Sequence, residues 1–102
     1  MITSVSSVEF PADLLDLKIG FLDVEAEIAA HAATLPAGAD IIAGRAKISD
    51  EDRERSRALH ARAADLASRI SGHPFWAAMQ GAARVDAMTA LTRAARDARD
   101  AA

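Results

Sequence analysis

The sequence predicts an all-α fold, a small bundle of three main helices in which the third is split near Gly81. Three observations support this prediction. Apolar residues recur at intervals of three and four between Pro11 and Leu35, a second segment is bounded by helix-capping residues at Ser49 and Gly72, and alanine, the best helix former, supplies much of the apolar content.

The first helix is the most informative segment because it carries two apolar faces. One face comprises Leu14, Leu17, Phe21, Val24 and Ile28, and a second comprises Leu15, Ile19, Leu22, Ala26 and Ala29. At about 100° per residue the two sets lie well apart around the helix. A single partner helix cannot cover both, so we expect this helix to be central in a bundle or to lie in an interface between chains. Pro11 suits its first turn, and Leu35 before Pro36 marks its end.

The second helix has clear boundaries. Ser49 followed by three acidic residues is an N-cap with a favourable first turn, and Gly72 before Pro74 ends the helix. Its apolar stripe is narrow and consists of Leu59, Ala63, Leu66 and Ile70. The connection before it, residues 36–48, is longer than most links between helices. Its three isoleucines, Ile41, Ile42 and Ile48, predict that it packs as a lid or a single helical turn.

The third helix is predicted to be interrupted. In one continuous helix Phe75, Trp76 and Met79 would point away from the later apolar set, which comprises Val85, Met88, Leu91 and Ala95. A break near Gln80 and Gly81 removes the conflict. We therefore predict a short helix from 74 to about 80 and a longer one from about 82 to 99. Residues 1–10 are predicted to be a flexible arm, and 11–102 a single domain.

Composition and motifs exclude several functions. The 102-residue chain has no cysteine and a net charge of −3, so disulfides, thiolate metal sites and a generally basic nucleic-acid binder are not expected. No segment approaches the roughly 18 apolar residues of a membrane span, and the N-terminus lacks a signal-peptide pattern. Nucleophile-elbow, zinc-protease and phosphate-loop motifs are missing. We expect a cytoplasmic protein that is not an enzyme, carries no cofactor and does not bind a membrane.

The surplus apolar face favours a role in protein interaction or regulation. The face around Leu15, Ile19 and Leu22 predicts self-association, with a dimer as the expected assembly, or binding to another protein. Phe75, Trp76 and Met79 have two interpretations. They fill the corner between the second and third helices, which we favour, or they form an exposed aromatic anchor for a partner.

Arg55, Arg62 and Arg69 recur every seven residues and form a stripe beside the apolar seam of the second helix. One interpretation is a surface that binds nucleic acid or another anion. The other, which we favour, is that these arginines lie over the acidic edge of the first helix and cover apolar surface with their stems. Arg45 and Lys47 could likewise form an anion-binding site in the 36–48 connection.

Asp23, Glu27 and His31 follow one another at intervals of four and share one edge of the first helix. Such ladders hold metals in some helical bundles, but the partner helices here lack the Glu-x-x-His pairs of di-iron proteins. A solvated acidic edge is the favoured interpretation. A metal-dependent enzyme at this ladder is the third functional hypothesis, after the interaction module and the nucleic-acid-associated protein.

Overall fold

Within residues 9–101, which a computed structural model of the chain describes, the fold consists of helices and contains no strand. The elements are α1 (Ala12–Ala32), α2 (Gly38–Ile42), α3 (Asp50–Ser71), a 3₁₀ helix (Pro74–Ala78) and α4 (Gly81–Ala101). The predicted all-α bundle, with its third helix split near Gly81, is confirmed. The predicted N-terminal arm lies mostly outside the described residues.

Helix α1 is the one on which the others pack. It contacts both α3 and α4, whereas α3 and α4 make few direct contacts with each other. Helix α3 runs antiparallel to α1 along its whole length. Asp13 near the start of α1 meets His73 just after α3, and His31 near the end of α1 meets Asp52 in the first turn of α3.

Helix α4 covers only part of α1. Ala87 and Leu91 pack in the same core as Leu14, and Arg99 Nη1 lies 3.5 Å from Asp23 Oδ1, near the midpoint of α1. Among the described residues, α3 is therefore the one long helix beside the distal half of α1, and the short helix α2 follows that end of α1. The principal dimensions of the molecule are 61 × 26 × 24 Å. Its Cα radius of gyration is 17.9 Å, against about 13 Å for a compact domain of this size.

The corner after α3 is closed by Trp76. Its side chain is 1% exposed and packs with Leu14, Ile70 and Leu91. The indole N–H donates to the Ile70 carbonyl oxygen at 2.7 Å, which satisfies both buried groups. Phe75 lies edge-on to Trp76. The positive φ of Gly81, 59°, then allows the chain to turn into α4.

The 36–48 connection contains α2, in agreement with the predicted helical turn. The burial of one of its isoleucines differs from the prediction. Ile41 and Ile48 are half-buried, whereas Ile42 is 90% exposed, so the prediction that Ile42 packs is wrong. The physical reason is that the connection is held locally by polar contacts. Arg45 Nε donates to Asp40 Oδ1 at 3.0 Å, and the backbone N–H of Arg45 donates to the Asp40 carbonyl oxygen.

We expect Gly20→Ala to stabilise the protein by about 1 kcal/mol, because alanine removes the entropic cost of glycine inside a helix. The added Cβ would lie 3.8 Å from Leu66, which is ordinary van der Waals contact. Gly81→Ala is the matched control and should destabilise by about 1–2 kcal/mol, because its φ is left-handed. Urea unfolding measures both free energies. A destabilising Gly20→Ala would mean that α1 and α3 approach more closely than described.

Candidate interaction surfaces

The face of α1 predicted for self-association is largely used within the chain. Leu22 is 5% exposed, and Leu15 is half-buried against the hydrophobic core. Ile19 is also half-buried. Leu22 is therefore covered by its own chain, whereas Leu15 and Ile19 keep part of their surface exposed.

The aromatic segment Phe75 to Met79 likewise faces inward. Trp76 is a core residue with its indole N–H satisfied, while Phe75 and Met79 are half-buried and pack against the core. Phe10 adds to this corner, with its ring centroid 5.4 Å from that of Phe75. The segment therefore serves as a corner of the core, and Trp76 is not available as an anchor for a partner.

Two exposed apolar side chains lie on α4 where the sequence predicts inward ones. Val85 is 62% and Met88 37% exposed, whereas Ala87, Leu91 and Ala95 form the buried stripe. The prediction that grouped Val85 and Met88 with Leu91 is wrong for the first two. The buried stripe has a spacing of four and contains two alanines, whose small side chains permit α4 to approach α1 closely. That regular spacing is the signal in the sequence that points to the correct face.

The stripe of three arginines lies along the exposed side of α3 and is interleaved with acids. Arg62 Nη1 is 3.6 Å from Glu27 Oε2 of α1, and Arg69 Nε is 3.0 Å from Asp65 Oδ2. Only the Arg62 pair agrees with the interpretation in which the stripe lies beside the acidic edge of α1, because the Arg69 pair lies within α3. We define the charged row as six exposed residues of α3: Glu51, Arg55, Ala58, Arg62, Asp65 and Arg69.

Two shallow open grooves border the charged row. One, of about 450 Å³, is lined by Glu27, Glu51, Glu54, Arg55, Ala58, Leu59 and Arg62. The other, of about 520 Å³, is lined by Asp13, Asp16, Leu17, Leu66 and Arg69. Acids outnumber arginines in both linings, so neither groove offers the positive potential that a phosphate backbone requires.

The Asp23, Glu27 and His31 ladder is not assembled as a ligand set. Asp23 pairs with Arg99, Glu27 pairs with Arg62, and the Nε2 atom of His31 lies 3.2 Å from the Asp52 carbonyl oxygen. Each side chain thus interacts with a different neighbour. In residues 9–101, His, Asp and Glu side chains form no group of three that could hold a metal ion.

His73 joins α1 to the corner through both of its ring nitrogens. The Nδ1 atom accepts the Phe75 backbone N–H at 3.1 Å, so Nε2 carries the hydrogen that is donated to Asp13 Oδ2 at 2.9 Å. This hydrogen bond lowers the pKa of the Asp13 carboxyl below its ordinary value of 3.8. The hydrogen bond between His73 and Asp13 therefore links the end of α3 to the start of α1, and its strength depends on pH.

Comparison with known proteins gives one family. A family model described as a domain of unknown function (DUF8825) matches residues 13–94, most of the chain. No curated protein and no solved structure matches the chain significantly. Among the described helices, none is both long and apolar enough to span a membrane.

We expect Asp13→Asn to reduce stability near neutral pH and to have little effect in acid. Because the folded-state pKa of Asp13 lies below its unfolded value of 3.8, the carboxylate stabilises the fold fully above that value. Its contribution disappears as the pH falls through the folded-state pKa. Urea unfolding should therefore show a difference between wild type and variant at about pH 6 that vanishes by about pH 2.

Asp16→Asn is the matched control, because Asp16 lies one turn further along α1 and has no histidine partner. It should not reproduce this dependence on pH. A constant difference between wild type and Asp13→Asn at all pH values would contradict a role for the carboxylate charge.

Proposed function

The chain belongs to the DUF8825 family, and we propose that it works as a small non-catalytic helical module that associates with a second copy of itself. The observation that carries this proposal is the incomplete cover of α1 and α3. Within residues 9–101, α4 reaches only the midpoint of α1, and α3 is the one long helix beside the distal half of α1.

A two-helix hairpin can bury only the facing stripes of its helices. In three- and four-helix bundles further helices cover the flanks. Here the flank beside the distal hairpin is an open groove whose lining includes Leu59 and Ala58 together with charged side chains. A second copy that lies against this flank would cover it with further helices.

The alternative role as a nucleic-acid-associated protein draws less support from the geometry. Arg62 and Arg69 already face carboxylates, and the grooves beside the arginines contain more acids than bases. The enzyme hypothesis lacks an assembled ligand set in the described residues. We place the module in the cytoplasm, since a chain without cysteine suits a reducing compartment.

We expect light scattering on a sizing column to give a mass that rises with concentration, from the 10.7 kDa of one chain towards twice that value. Leu22→Glu tests whether that face of α1 is core: because Leu22 is 5% exposed, this variant should lose helical circular dichroism, whereas a folded monomer would mean that the face was an interface. A wild-type mass of one chain at every concentration would refute self-association.

A further inference from the structure

We propose that the second copy docks on the charged row of α3, with the two α3 helices antiparallel about a two-fold axis. The inference rests on the proposed self-association and names its surface. Its basis is the order of charges along the row, which is complementary to itself when reversed.

The six residues of the charged row follow one another at intervals of four, three, four, three and four. At about 100° per residue they fall within a strip roughly 80° wide, so they all lie on one side of α3. Every one of them is exposed. The strip flanks the apolar seam that α3 packs on α1, and it adjoins both open grooves.

Consider two antiparallel α3 helices whose two-fold axis passes at the level of residue 60, the midpoint of the row. Each charged residue at the ends of the row then lies opposite a residue of opposite charge, and the small Ala58 lies opposite a long arginine. Glu51 lies opposite Arg69 of the second copy, and Arg55 lies opposite Asp65 of the second copy. The two-fold axis repeats both pairs. Such an isologous contact closes after two chains and leads to a dimer.

Other arrangements of the same row bring like charges together. A parallel pair in register places each arginine against itself. Two antiparallel arrangements are shifted from this register by four residues. One places Arg55 against Arg69 of the second copy, and the other places Glu51 against Asp65 of the second copy. Charge juxtaposition of this kind selects register and orientation more than it adds affinity. The antiparallel orientation is also favoured by the helix dipoles.

The middle of the row adds a steric fit. Ala58 lies opposite Arg62 of the second copy, and beside Ala58 the groove is lined by Leu59, which is 7% exposed. The aliphatic stem of a long arginine can cover such a surface while its guanidinium stays in water. The Glu27 carboxylate 3.6 Å from Arg62 holds that arginine on the groove side of α3.

The existing ion pairs do not oppose docking. The pair of Arg69 with Asp65 is exposed and lies within one helix, where such pairs contribute only a few tenths of a kcal/mol. Among the described residues, Arg55 has no carboxylate within ion-pair distance. These side chains can therefore form ion pairs with the second copy at little cost to the stability of the monomer.

The test exchanges the two charges that face each other across the axis. In Arg55→Asp two pairs of carboxylates oppose each other, and in Asp65→Arg two pairs of guanidinium groups do. Each single variant should raise the dissociation constant by about tenfold or more. The double variant, and an equimolar mixture of the two single variants, should recover dimers, since both restore opposite charges. Sedimentation velocity at low salt measures the constants, and circular dichroism checks the fold.

Arg57→Asp is the matched control: it makes the same charge change on α3 but outside the row, at a residue paired with Glu54, and it should leave the dissociation constant unchanged. If wild type dimerises but the row variants do not weaken it, the docking surface is wrong while self-association stands. If wild type is monomeric throughout, both fail. Monomers that bind a duplex DNA probe at low salt, with loss in Arg55→Asp but not in Arg57→Asp, would also overturn the proposal.

Discussion

The structure depends on the need to bury both apolar faces of α1 with few large side chains. Leu14 and Val24 on α1 are fully buried, and the chain has only four aromatic residues with which to complete the core. Helix α3 covers one side of α1, and α4 takes another. Because these two helices scarcely contact each other, α1 carries nearly all of the tertiary packing. Within residues 9–101, α4 covers only the first half of α1.

The two ends of the α1 and α3 hairpin are stabilised by different means. At one end Trp76 fills the corner, and its N–H satisfies a carbonyl group at the end of α3. At the other end there is no large aromatic, and the buried imidazole of His31 links the helices through the Asp52 carbonyl oxygen. A single hydrogen bond from a side chain to a backbone carbonyl contributes far less than the burial of a tryptophan side chain. We therefore infer that the distal end is the one that benefits more from a second copy.

The sequence was sufficient where strong local signals coincide. The 3,4 spacing of α1, the Ser49 cap, the stop at Gly72 and the break before Gly81 each reflect local physical chemistry, and each is found in the structure. It was insufficient for α4, where alanines and threonines leave the inward face ambiguous. Size favoured Val85 and Met88 as core residues, but the close approach of two helices favoured Ala87 and Ala95.

The charged row of α3 could likewise be predicted only in part from the sequence. The repeat of three arginines is visible in the sequence, but their acidic counterparts on the row, Glu51 and Asp65, gain meaning only when the exposed side of α3 is known. The pairing of Glu27 with Arg62 is tertiary, and no spacing rule within one helix could reveal it. Likewise, the occupation of the second face of α1 by its own chain depends on where α4 docks, which periodicity alone does not fix.

The chemistry of the charged row sets the kind of dimer it can support. Exposed ion pairs are screened by salt and individually weak, so they cannot hold together chains that are unfolded on their own. Each chain buries Trp76, Leu14 and Leu91 in a core of its own. Under the proposal, association through this row should be reversible and sensitive to ionic strength. The proposed dimer would therefore form to an extent set by protein concentration and by salt.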